Sequence, residues 1–415
     1  MTNWKEYKLG ELVSVNERSI GRNFEFNNIK YIDTSSVTEN KFETPTYTTL
    51  SEAPSRAKRL IANGDTIIST VRPIQKHYGF IKDAEGNQVV STGFAVVTPK
   101  IIEPRFLYYF LTQAVITEFL NTIAEGGTTT FPAFKADELK ELSINLPPLP
   151  TQTAIAEILS SLDDKIELNN KINQELENLA QTLFKQWFID FEFPNQNGEP
   201  YKSSGGEMVD SELGEIPKGW EVGNLNHIAE LNKKNIKPFE SAKTVFNLYS
   251  LPEFDTGKVP SQELGETILS SKYQVLKHSI LVSKLNPRIP RIWTIINPNN
   301  NAICSTEFQV LKAKIDTYFP FVNSLCSSEK YISSLQSKVT GTSSSHQRVN
   351  PNDIINYEMI LPSIEKVNSF YITIYDSLLL IDDNKKENLE LTNLRDTLLP
   401  KLIAGELEVS EVKEG

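Results

Sequence analysis

Two stretches of this 415-residue chain carry side chains suited to holding a phosphate or a base edge. Gly126–Lys135, GGTTTFPAFK, combines glycines that let a phosphate approach the backbone with the hydroxyls of Thr128, Thr129 and Thr130 and the cation of Lys135. Gly341–Arg348, GTSSSHQR, repeats the composition with Ser343, Ser344 and Ser345, and adds His346, Gln347 and Arg348, which can reach base edges. A second pair sets Arg72, Gln75, Lys76, His77 and Tyr78 against Lys284, Asn286, Arg288 and Arg291, each group following an apolar run and beside a proline. On residue types alone, a plain surface loop is the first reading of the two loops. Structural salt bridges are an equal rival for the second pair.

Catalytic machinery is harder to find. A base-flipping adenine methyltransferase needs Asn or Asp directly before Pro-Pro-aromatic, but in Asn145-Leu146-Pro147-Pro148 a leucine intervenes. Gly257-Lys258 lacks the upstream glycine of a nucleotide-cradling loop and is followed by Val259. Asp163-Asp164 and Asp382-Asp383 are expected to form solvated helix faces. His77, His227, His278 and His346 are too scattered for a metal site, so no metal is expected. Such a chain recognises rather than reacts.

The chain contains itself twice. Trp4, Leu9, Leu12, Val15 and Asn16 recur as Trp220, Leu225, Ile228, Leu231 and Asn232. STGFAV at Ser91–Val96 recurs as STEFQV at Ser305–Val310, with Phe94 and Phe308 expected in the core. Ile166–Leu183 matches Ile381–Leu398 at ten of eighteen positions, which chance does not produce. Each copy opens with an α+β globule, built on short strands such as Asp65–Thr70 and Ile280–Ser283 and one helix near Phe106–Ile123. Each then turns helical. After Leu146–Pro150, LPPLP, the first helix is expected to be capped by Thr151 and closed by Pro194; the second runs from about Ser363 to Gly405, with Ile374, Ile381, Leu391, Leu394 and Leu398 on one face.

Heptad spacing puts Ile166, Asn169, Asn173, Leu176, Ala180 and Leu183 on one seam, and Ile381, Asn384, Asn388, Leu391, Arg395 and Leu398 on its copy. Asn169, Asn173, Asn384 and Asn388 would fix register, because slippage leaves a buried amide unsatisfied. Two equivalent helices in a duplicated chain pair antiparallel about a twofold axis. The plainer alternative packs each helix on its own globule with the asparagines in water.

The net charge of −11 is uneven. Residues 148–216 hold 4 Lys and Arg against 13 Asp and Glu, whereas residues 217–361 hold 16 against 12. An acidic total disfavours indiscriminate DNA coating but leaves room for local basic surfaces. Two cysteines make no disulfide framework, the N-terminus has no signal-peptide layout, and no apolar run suits a bilayer span. A soluble, cytoplasmic protein without a membrane role is expected.

The segments Lys202–Val222 (KSSGGEMVDSELGEIPKGWEV), Leu183–Phe193 (LFKQWFIDFEF) and Leu394–Leu407 (LRDTLLPKLIAGEL), with Leu146–Leu159 and Lys8–Val15, resemble the specificity subunit of type I restriction–modification systems. The resemblance spans essentially the whole chain; LPSIEKVNSF at Leu361–Phe370 departs from the first junction. It implies a non-catalytic, sequence-specific DNA-recognition subunit with target-recognition domains at 1–148 and 217–361. Spacer helices at 149–193 and 362–415 and a linker at 194–216 complete the expected layout. The implied fold class is α+β, two tandem globules related by a pseudo-twofold repeat and separated by an antiparallel coiled coil. The implied partners are double-stranded DNA, two methyltransferase subunits and restriction subunits. S-adenosylmethionine, ATP and magnesium are expected only on those partner subunits, with no cofactor in this chain. Twofold-related domains that differ in sequence would read a bipartite, asymmetric target. The rival function is a two-headed protein-interaction scaffold with no DNA readout.

Overall fold

Runs rich in Val, Ile and Thr form short strands here, and the two segments with helical apolar spacing form helices of 36 and 41 residues, Leu149–Phe184 and Ile364–Ala404. The computed structural model describes residues 4–126, 132–339 and 347–410. The chain divides into two units, residues 1–167 with 387–415 and residues 168–386, so each long helix contributes one part to each unit.

In the first unit, Lys5–Lys8 pairs antiparallel with Ser143–Leu146. An antiparallel sheet follows in the order Val13–Val15, Phe94–Pro99, Thr66–Ser69, Tyr78–Phe80. A second sheet runs Thr46–Thr49, Asn28–Ile32, Gln88–Ser91, Ala57–Leu60, and its central pair is parallel. The first sheet and the helices around it close on a core containing Leu9, Leu12, Ile68, Phe106 and Leu159, to which the second long helix adds Leu402. Near that end, Gly405 takes φ +71, and a Cβ there would meet the Trp4 ring at 3.0 Å.

The second unit repeats this topology. Glu221–Asn224 pairs with Glu358–Leu361, and the antiparallel sheet runs Ala229–Asn232, Phe308–Ala313, Ser279–Ser283, Ile292–Ile295. The other sheet matches strand for strand as Ser261–Leu264, Val245–Tyr249, Ala302–Cys304, Lys272–Gln274, again with a parallel central pair, and gains an edge strand at Asn235–Ile236. Its core joins Phe184 and Phe188 of the first long helix and the turn after it to Phe321 and to Phe370 of the second long helix. The Phe188 ring sits edge-on to both Phe321 (4.8 Å) and Phe370 (5.1 Å).

Some local expectations change. The helix expected near Phe106–Ile123 is two, Pro104–Leu111 and Ala114–Glu125, because Gln113 takes an extended backbone at φ −58, ψ 145. The first long helix begins at Leu149, with Pro150 in its first turn where a proline costs no hydrogen bond, so Thr151 lies inside it. It ends at Phe184 and passes through a wider turn, Lys185–Ile189, before Pro194. At the second junction the helix starts at Ile364, and the Ser363 carbonyl accepts from the Val367 N–H (3.1 Å). Phe94 and Phe308 are fully buried, while Leu394 is exposed.

Candidate nucleic-acid interface

The first unit makes a tight corner after the strand Thr66–Ser69. The Ser69 hydroxyl is buried; it accepts from the Val71 N–H (3.2 Å) and donates to the Val71 carbonyl (2.9 Å). Arg72 then takes the left-handed conformation, φ +46, ψ 65, ahead of buried Pro73. Non-glycine residues accept that region at a cost of about 1–3 kcal/mol, so surrounding bonds must hold it. They do: the Arg72 N–H donates to the Pro132 carbonyl (2.9 Å) and the Phe134 N–H to the Thr70 carbonyl (3.0 Å).

The second unit builds the same corner 214 residues later. Ser283, also buried, accepts from the Leu285 N–H (3.2 Å) and donates to the Leu285 carbonyl (3.1 Å). Asn286 takes φ +46 before buried Pro287. Its N–H donates to the Gln347 carbonyl (2.8 Å), and the Val349 N–H to the Lys284 carbonyl (2.9 Å). The corner in each unit is therefore pinned to the residues directly after the Gly/Ser/Thr-rich sequence. Thr128, Thr129, Thr130, Ser343, Ser344, Ser345 and His346 lie outside the described residues.

The remaining candidates separate by what already occupies them. Arg72, Gln75 and Lys76 are exposed around the first corner, and Arg288 is exposed beside the second. Lys76 meets Glu39 (2.7 Å), and His77 Nδ1 lies 2.6 Å from the Val37 carbonyl and 3.1 Å from the Thr38 hydroxyl. Burial pushes the Tyr78 phenol well up, and Lys135 is exposed where its N–H bonds Glu138 (2.8 Å). Half-buried Lys284 uses its N–H on the Glu307 carbonyl (2.9 Å). Arg291 grips Asp255 in a two-pronged pair (2.7 and 2.8 Å) and holds its carboxyl below the usual range; Arg348 grips Glu307 likewise (3.2 and 3.0 Å). The Asn286 Oδ1 and Gln347 Oε1 atoms are enclosed with no hydrogen-bond partner among the described residues.

Within each unit the two helical segments run antiparallel. In the second, the Asn384 Nδ2–H donates to Asn173 Oδ1 (2.8 Å), both residues buried. Asn169 is buried, and Asn388 is half-buried. In the first unit, Asp163 leaves the solvated face expected of it: it accepts from Arg395 Nη1 (2.7 Å) and the Tyr109 hydroxyl (2.6 Å). Burial pulls the Arg395 guanidinium down, but Asp163 and Asp396 outweigh it and the net shift is upward. Asp164 pairs with Lys82 (2.9 Å) and Arg105 (3.0 Å). Among the described residues no cluster of His, Cys, Asp and Glu could hold a metal, and no helix is long and apolar enough to cross a membrane.

The family model of the type I restriction modification DNA specificity domain matches residues 1–178. The HindI specificity subunit of Haemophilus influenzae is 30% identical, covering 98% of this chain and all of that protein. This chain belongs to the family of type I restriction enzyme specificity subunits. The MjaIX specificity subunit of Methanocaldococcus jannaschii is also 30% identical, over 85% of this chain and 80% of its own. The crystal structure of the S subunit from M. genitalium, 16% identical, shares the fold at a TM-score of 0.55 over 97% of this chain and 96% of that one. As a type I specificity subunit, this chain is the DNA-recognition component of a restriction–modification complex and is not itself an enzyme. The serine pins and left-handed corners were missed in the sequence. Their signal was present as Ser69-x-x-Arg72-Pro73 and Ser283-x-x-Asn286-Pro287, a repeated Ser and Pro frame around three variable residues.

Proposed function

We propose that this specificity subunit reads an asymmetric, bipartite double-stranded DNA target, one half through each globule, at an interval set by the paired helices. The supporting observation is the corner built twice on identical backbone bonds but carrying Arg72 in one copy and Asn286 in the other. A common frame places two readers alike, and different side chains give unlike half-sites. Lys135, Gln75, Arg288 and the Gly/Ser/Thr loops supply phosphate and edge contacts around each corner. The acidic helices dock two methyltransferase subunits, with restriction subunits joining the assembly. S-adenosylmethionine, ATP and magnesium belong to those chains.

Mapping methylated adenines across the host genome, with the gene intact, deleted and restored, tests this reading. One bipartite motif should vanish on deletion and return on complementation. An unchanged map would refute it and favour a protein scaffold, whose association would resist salt, whereas DNA binding weakens steeply as salt rises.

A further inference from the structure

The two corners share one backbone frame and carry different side chains at its left-handed residue. The serine pin, the left-handed φ of +46, the buried proline and the cross-strand bonds recur in both units. The corner side chain changes from Arg72 to Asn286, and its flanks change too, from Thr70, Val71 and Ile74 to Lys284, Leu285 and Arg288. Glycine would fit that backbone without strain, and neither copy uses it. Arginine is strained in this conformation and asparagine tolerates it, so each copy keeps a polar side chain where glycine would serve the backbone alone. Arginine and asparagine are moreover among the side chains whose paired groups match a single base. A guanidinium donates two hydrogen bonds to guanine O6 and N7. A carboxamide accepts from adenine N6 and donates to N7.

The second corner adds a separate observation. The Asn286 Oδ1 atom is enclosed without a donor among the described residues, and so is the side-chain Oε1 of Gln347, whose backbone carbonyl accepts from the Asn286 N–H. A desolvated amide oxygen left unpaired costs about 1–3 kcal/mol. The exocyclic amino group of adenine is a donor of the kind these oxygens lack, and the Asn286 carboxamide meets it once the side chain turns outward from its enclosed position. At the first corner Arg72 is exposed, as are its neighbours Gln75 and Lys76.

We propose that the left-handed corner residue of each unit is a base-reading residue, Arg72 recognising a guanine in one half-site and Asn286 an adenine in the other. This rests on the bipartite-target reading above and deepens it by naming one base in each half. In sequence, Arg72, Gln75, Lys76, His77 and Tyr78 stand against Lys284, Asn286, Arg288 and Arg291 with no residue set apart. The corner instead singles out one residue in each, and in the second unit that residue is uncharged.

The test uses the full-length chain in its assembled methyltransferase complex, with methylated adenines mapped genome-wide for each variant. Arg72→Gly and Asn286→Gly suit the backbone and remove only the side chain. Each should turn one specified base pair of one half-site into any base, relaxing discrimination there by about ten- to a hundredfold, with every other position still read. Arg72→Asn should convert the guanine to an adenine at that same position, a change of identity that a structural role does not produce. A motif unchanged in the glycine variants would overturn the proposal. So would a uniform fall in methylation at all sites, the signature of a phosphate contact or of lost folding. These outcomes differ from failure of the bipartite reading itself, in which deletion of the whole gene would remove no motif.

Discussion

At the scale of single residues, an exposed cation is a candidate DNA contact only while its charge is not already spent. Arg291 shows the distinction. Its guanidinium is mostly covered and holds Asp255 with two parallel bonds. Arg291→Ala is therefore expected to lower the melting temperature while leaving the methylated motif intact; a relaxed motif at unchanged stability would reassign Arg291 to DNA. The pH dependence has a definite sign. Hydrogen bonds from Arg291 depress the Asp255 carboxyl, so the stabilisation is present above the unfolded carboxylate value of about 4 and is lost as pH falls through the lower folded value. The gap in stability between wild type and Arg291→Ala should stay constant from neutral pH down to about pH 5 and narrow below pH 4, as urea titrations at stepped pH would show. Gly405 belongs at the same scale. With φ +71 and the Trp4 ring 3.0 Å from a would-be Cβ, Gly405→Ala should destabilise by roughly 1–3 kcal/mol from strain and crowding together.

Elements show what was legible and what was not. The duplication, the helix pair, the start of the first long helix and both ends of the second within a residue or two, and the burial of Phe94 and Phe308, were visible because apolar periodicity and self-similarity are one-dimensional signals; the first helix stops at Phe184, well short of Pro194. The break between Pro104–Leu111 and Ala114–Glu125 was not, because Thr112 and Gln113 carry no Gly or Pro to announce it. Nor was the partner of Asp163, since ion pairing across helices depends on which residues face each other. The seam asparagines give the test at this scale. Asn384→Leu leaves the Asn173 amide buried without its donor and should destabilise the fold by about 1–3 kcal/mol. Replacing both Asn173 and Asn384 by Leu should recover much of that loss. A double-mutant cycle on the melting free energies checks this; strict additivity would show that the two amides do not depend on each other.

For the molecule as a whole, the unlike layers of the two units bear on whether half a chain could stand for the whole. A shift of 215 residues carries Asp163 onto Leu378 and Arg395 onto Ala180. The first unit thus has an ion pair, joined by Tyr109, where the second has Leu378 and Ala180 in its apolar core. A fragment of residues 1–212 pairing with its own copy would set each Asp163 against Ala180, leaving two carboxylates without their arginine. Breaking a pair of this kind costs more than the 0.2–1 kcal/mol typical of exposed pairs, because both side chains are largely covered. The fragment is therefore expected to self-associate weakly, and Asp163→Leu, which copies the second unit's layer, should tighten its dimer by about tenfold or more. Sedimentation across a concentration series measures both constants. A wild-type fragment that dimerises as tightly as Asp163→Leu would show that the charged layer does not set which halves combine.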